Sequence, residues 1–308
     1  MASESMTIGL VPRLAQWNLN NSAVCLDAQR PPDDIRELIR AHDDLPPLPE
    51  IARRLLRFRD DSSASAAGLA AIVELDPLLA GQMLRWANSA YYGLRVPTES
   101  VRDAIVRSLG FNAALALALA LAALSPLKTP KQGSIGRDRV WRHGLQCGRL
   151  MSELAKHLPP GARTPSEQIP LAGLMQNIGY LLLGHLLPDS FRFLSRLIEQ
   201  NASLTQPVID RFALGLEHAQ LGQWLLKVWE MPPALCAVVR HHHNPGYEGD
   251  HASLVLLTCL ADSLLDETPW GLGACSIEVA ARTPLIARLG LDQETCAMAL
   301  EKIRTPEE

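Results

Sequence analysis

The sequence predicts an all-α protein in two helical lobes, and three observations carry that expectation. Apolar residues recur at three- and four-residue spacing in one segment after another. Acceptor side chains and prolines stand where helices would begin, and glycines where they would stop. No alternating pattern with turn dipeptides signals a sheet, and β-branched residues are sparse. The 308 residues, 47% hydrophobic and 20% charged with a mean hydropathy of +0.04, exclude a disordered chain. That length corresponds to about two domains or one large one.

Residues 1–31 have weak periodicity and end in Pro31-Pro32, so they read as an N-terminal arm. The first lobe is expected over 32–130. A short helix runs from Asp34 toward His42. In LPPLPEIARRLLRF, Pro49 falls near a first turn, and Ile51, Leu55 and Phe58 form an apolar stripe. Ser62 and Ser63 introduce a helix through Leu75. Asp76-Pro77 opens the next, LLAGQMLRWANSAYY, which should stop at Gly93. Ser100 caps VRDAIVRSL, Gly110 ends it, and Asn112 starts an Ala/Leu-rich helix. Lys128 to Gly136 is a polar, Pro- and Gly-containing break and the candidate domain boundary. The second lobe is expected over 137–267 and a C-terminal helical tail packed on the body over 268–308. Helices are predicted at about 137–157, 168–186, 189–200, 205–214, 216–229, 233–242, 251–266 and 291–304.

Charge narrows the function classes. Lys and Arg number 29 against 33 Asp and Glu, a net charge of −4, which argues against nonspecific attraction to nucleic acid or anionic lipid. The densest basic region (Arg36, Arg40, Arg53, Arg54, Arg57, Arg59) is balanced by Glu37, Asp43, Asp44, Glu50, Asp60 and Asp61, and reads as solvated helix faces. Six scattered cysteines contain no C-x-x-C pair. The apolar segment from Phe111 to Leu127 is short for a bilayer and carries Asn112, Ser125 and Pro126, so it reads as a buried helix. With no basic-then-apolar leader, the expectation is a reduced, cytoplasmic protein without a membrane partner.

Polar residues on apolar stripes are the informative ones. His143 shares a face with Val140, Cys147, Leu150 and Leu154. Gln176-Asn177 places two amides inside an apolar helix, where each costs roughly 1–3 kcal/mol unless partnered. His218 lies one turn before Leu221 and Gly222. His241-His242-His243 ends a helix, where imidazoles also serve as solvated C-terminal groups. Asp262 shares a stripe with Val255, Cys259 and Leu265, and the Thr258 hydroxyl is the partner nearest in sequence. Singly, each is an ordinary core or cap residue. Together, the imidazoles and the carboxylate spread over four helices are what a helical metal pocket needs. Trp86-Ala87-Asn88-Ser89-Ala90-Tyr91-Tyr92-Gly93 is either a lobe-docking surface or a helix cap packed on its neighbour.

The strings LPPLPEIARRLL, ELDPLLAGQMLRWANSAYYG, SVRDAIVRSLGF, WRHGLQCG, LAGLMQNIG, HAQLGQWLLKVWEMP and VVRHHHNP, in that order, resemble the HDOD domain. This is a signalling branch of the HD superfamily of metal-dependent phosphohydrolases, and the resemblance covers about residues 36 to 267. It implies a multi-helix HD-like fold. In a catalytic HD protein an adjacent His-Asp pair would stand at Gln176-Asn177. A Gln amide is a poor transition-metal ligand, and Asn lacks the charge with which Asp bridges two metals about 3.5–4 Å apart. The resemblance therefore implies no catalytic residue and no required cofactor, with His143, Gln176, Asn177, His218, His242, His243 and Asp262 lining a vestigial pocket. Residual binding of one divalent metal through His143, His218, His242, His243 and Asp262 is the alternative. It further implies a non-enzymatic output or scaffold role, acting in trans on sensor kinases, response regulators or cyclic-dinucleotide enzymes; the oligomeric state stays open. Its rival is a divergent single-metal phosphohydrolase, with His143 as a further ligand or acid/base. A nucleotide sensor using Arg85, Arg95 and Arg102 is a weaker reading, since no glycine-rich phosphate loop accompanies them.

Overall fold

Helices account for nearly all regular structure in the computed structural model, which describes residues 45–89 and 97–304. The expected arm, the helix toward His42, Arg95 and the Tyr91–Gly93 end of the aromatic segment lie outside the described residues. Among those described there is no strand, only an isolated bridge between Thr205 and Cys275.

Local chemistry explains the first helices. Helix α1 (Glu50–Arg59) buries Ala52 and Leu55, while Glu50 pairs with Arg53 and Arg54 on its solvated face. Helix α2 (Ala66–Val73) starts later than expected, because Ser65 rather than Ser62 or Ser63 accepts the Gly68 N–H. In α3 (Pro77–Ala87) Asp76 accepts from the Leu78 and Leu79 amides, as its sequence predicts. That helix ends at Asn88, ahead of Gly93, because the Asn88 side chain both donates to Thr98 O and accepts from Thr98 N. Ser100 caps the single turn α4 (Val101–Asp103), which continues as a π-helix over Ala104–Leu109. Helix α5 (Phe111–Leu124) is apolar on all sides because it is covered on all sides, with Ala114 through Ala120 buried. No helix among the described residues is long and apolar enough to cross a membrane.

The later helices are α6 (Arg137–Ala155), α7 (Ile169–Met175), α8 (Ile178–Leu186), α9 (Pro188–Gln200), α10 (Gln206–Leu214), α11 (His218–Val228), α12 (Pro233–His241), α13 (Ala252–Leu265), α14 (Val279–Arg288) and α15 (Gln293–Ile303). Two differ from expectation. The helix expected over 168–186 is broken at Gln176-Asn177, where Asn177 takes φ −99° and ψ 18°. Helix α14 has no counterpart in the sequence reading; Pro284 lies inside it and only Leu285 and Ile286 are buried, so its apolar stripe is faint.

One contiguous apolar core runs from Leu48 to Ile303. The 128–136 segment is fastened to the later helices: Thr129 Oγ1 donates to Leu181 O, and Ser134 Oγ to Ser195 O. Trp86 of α3 meets Trp141 of α6 with ring centroids 5.9 Å apart. Two glycine contacts set the spacing around the polar centre. A Cβ on Gly173 of α7 would lie 2.4 Å from Gly148 N of α6, and one on Gly179 of α8 would lie 1.9 Å from His218 O of α11. Backbone meets backbone at both places, which is what brings His143 to Gln176 and Tyr180 to His218.

Candidate functional site

The polar residues on apolar stripes meet in the interior. His143, Gln176, Asn177, His218, His242 and Asp262 are each at most 2% exposed, and the His243 side chain is 7% exposed. Helices α6, the α7–α8 break, α11, the end of α12 and α13 each supply part of this cluster.

One half is built around His143. Its Nδ1 lies 3.0 Å from Trp270 O, and its Nε2 faces both Gln176 Nε2 (3.1 Å) and Asp262 Oδ1 (2.9 Å). Burial disfavours the His143 imidazolium, but the Asp262 carboxylate and the Trp270 carbonyl outweigh it, and the pKa rises. The Asp262 contact is a close charge pair: neither carboxylate oxygen receives an aligned donor. Thr258 is not the partner that sequence proximity offers, since its hydroxyl donates back to Leu254 O. Both side-chain polar atoms of Asn177 and the Gln176 Oε1 are buried with no partner. One turn beyond Asp262, Asp266 Oδ2 accepts from Ser276 N and Oγ.

The other half is built around His218. Asp210, fully buried on α10, accepts from His218 N (2.9 Å) and His218 Nδ1 (2.5 Å). The Tyr180 hydroxyl donates to Asp210 Oδ1, and the Tyr180 ring stacks on His218 with centroids 3.9 Å apart. His218 Nε2 then sits 3.3 Å from both His242 Nε2 and His243 Nε2. The His242 Nδ1–H donates to Val239 O. Burial first, then the neighbouring imidazoles, push His242 down to about 3 and His243 well below the usual range. His241, by contrast, is half-buried and stacks on Tyr247; it is the triplet member that keeps the helix-end position.

Asp210, Trp270 and Ser276 were not singled out in the sequence. Asp210 carried the readable signal, a carboxylate on a stripe with Ile209, Ala213 and Leu214. A cavity of about 550 Å³, bordered by Arg211, Glu217, Arg240 and Ser276, reaches the centre at His243. Its two arginines are held by Glu217. Elsewhere, Arg85 and Arg102 are exposed helix residues.

Two neutral amides with orphaned buried atoms, Gln176 and Asn177, do not fit a dinuclear centre of the kind that an adjacent imidazole and carboxylate would hold. Three converging imidazoles with oriented rings do fit one ion.

Comparison with known proteins places this geometry. The chain is 30% identical to a Marinobacter aquaeolei VT8 protein provisionally named a signal transduction protein, with a TM-score of 0.73 over 94% of this chain and 62% of that one. An HDOD domain protein of unknown function from Geobacter sulfurreducens shares the fold at 21% identity and a TM-score of 0.61, covering 87% of this chain and 96% of the other. So does a Shewanella amazonensis SB2B protein provisionally named a metal-dependent phosphohydrolase, at 23% identity and a TM-score of 0.56, over 87% and 94% of the two chains. An uncharacterized protein of Treponema pallidum (strain Nichols) is 23% identical over 74% of this chain, which spans 44% of that relative. A family profile described as HDOD domain matches residues 45–245. With this match covering about two thirds of its length, the chain belongs to the HDOD domain family.

Proposed function

We propose that the chain is a non-catalytic signal-transduction module that works by protein–protein contact, with sensor kinases, response regulators or cyclic-dinucleotide enzymes as its partner classes. The observation that carries this reading is Gln176-Asn177. Both stand buried at the break between α7 and α8, in the positions that the family resemblance gives to a metal-binding His-Asp pair. Two uncharged amides there cannot hold a bridging metal hydroxide against a phosphate. The 30% identity to the Marinobacter aquaeolei protein supports a signalling role. Purified protein supplied with Mn²⁺, Fe²⁺ or Zn²⁺ is expected to turn over neither phosphodiesters nor nucleotides. Metal-dependent turnover abolished by His143→Ala would overturn the proposal.

A further inference from the structure

We propose that the exposed face of α3 is an interface with a second copy of this chain. Around a two-fold axis the two α3 helices cross near Gly81, and each Leu78 enters a cavity beside the other copy's α3. The interface involves none of the buried histidines, and it stands whether or not the chain turns over a substrate.

Exposed apolar residues and a glycine mark the face. Leu75, just ahead of the helix, is 62% exposed and Leu78 is 67% exposed. Leu78, Gly81, Gln82 and Arg85 follow one another on one side of α3 at spacings of three and four. Gly81 is the least expected of them. Glycine is the poorest helix former after proline, and this fold does not require one here: a Cβ on Gly81 would meet nothing within 4 Å. Gly173 and Gly179, by contrast, are backbone contacts inside the chain. What an exposed glycine does provide is room for another backbone to come close.

Beside this face lies a hole that matches its knobs. A cavity of about 160 Å³ opens between Leu78, Arg85 and Trp86 of α3 and Arg137, Asp138 and Trp141 of α6. A cavity of about 150 Å³ holds a benzene ring, so one leucine side chain fits. Its two walls differ in charge. Arg85 is exposed and has no ion pair among the described residues. Asp138 is 61% exposed, with Oδ1 only 3.7 Å from Arg137 Nε. An occupant must therefore bring an apolar side chain for the hole and a carboxylate for Arg85, and this same patch carries both. A two-fold axis sets a surface against itself, residue i on residue j and j on i. Leu78 then fills the opposite cavity while Arg85 meets Asp138 of the partner subunit. A surface made for a charged partner of another kind would carry one sign.

The test weighs the untagged full chain by sedimentation equilibrium across the micromolar range. The expected mass is twice the 33.7 kDa of one chain, falling to the single-chain value on dilution. Leu78→Asp should leave a monomer with unchanged helical circular dichroism, because Leu78 stands outside the apolar core. Gly81→Ala should keep or improve the melting temperature yet weaken association by about tenfold or more. Arg85→Glu should weaken it as well, and adding Asp138→Arg should restore it. A wild type of single-chain mass at every concentration would leave the face to some other protein and overturn the interface, as would dimers that Leu78→Asp leaves intact. An unchanged dissociation constant in Gly81→Ala would overturn the crossing point. A double variant that associates no more tightly than Arg85→Glu alone would overturn the pairing of Arg85 with Asp138.

Discussion

Burial and the neighbouring Asp262 charge push the Asp266 carboxyl up to about 7, even though Ser276 donates two hydrogen bonds that stabilise its charged form. Unfolding returns the group to its ordinary 3.8. Between those values the folded chain holds a proton that the unfolded chain has released. The stability contributed by the neutral carboxyl is therefore whole below 3.8 and is lost as pH rises to about 7. Asp266→Asn keeps the acceptor for Ser276 and cannot ionise. Guanidinium unfolding is expected to show the variant gaining on wild type across that window, by the order of a few kcal/mol; a constant difference at every pH would contradict it. Residues of this kind differ in how visible they are in a sequence. His143, His218, His242, His243 and Asp262 announce themselves as polar groups on apolar stripes. Asp210 gives the same signal, but its role becomes clear only when His218 is seen eight residues on and one bond away. The Trp270 carbonyl that holds His143 has no side-chain signature at all.

At the level of elements, the contact between α8 and α11 is the most sensitive. Gly179→Ala would drive a Cβ to within 1.9 Å of His218 O, and the backbone cannot swing aside as a flexible side chain would. Overpacking typically costs about 1–3 kcal/mol and occasionally more, and this position belongs at or beyond the upper end. Thermal unfolding of the variant should show the loss, together with a weakened Tyr180–His218 stack in ring-proton NMR shifts; a melting temperature equal to wild type would refute the close approach. Most helices were legible because caps and periodicity agree, as at Asp76 and Ser100. The break at Gln176-Asn177 was not, because the apolar pattern continues across it from Leu174 to Leu183 and only the backbone angles of Asn177 record it. Helix α14 was hidden for the opposite reason, a proline inside and few buried side chains.

For the molecule as a whole, the polar centre does not end where the family match ends. The match stops at residue 245, whereas Asp262, Asp266, Trp270 and Ser276 all lie beyond it and close the centre from one side. Arg139 reinforces that closure by donating from Nε and Nη2 to Gly271 O, and Arg282 donates to Ser263 O. A chain cut after Glu267 should lose much of its cooperative unfolding transition and expose His143 to hydrogen exchange. Equal protection of the cut and intact chains would show that 268–304 is dispensable. The same clasp has a practical consequence for anyone transplanting this domain. A fusion trimmed to the recognisable motif would carry the histidines into solvent with their keeper left behind, and the excision point that preserves them lies past Ser276.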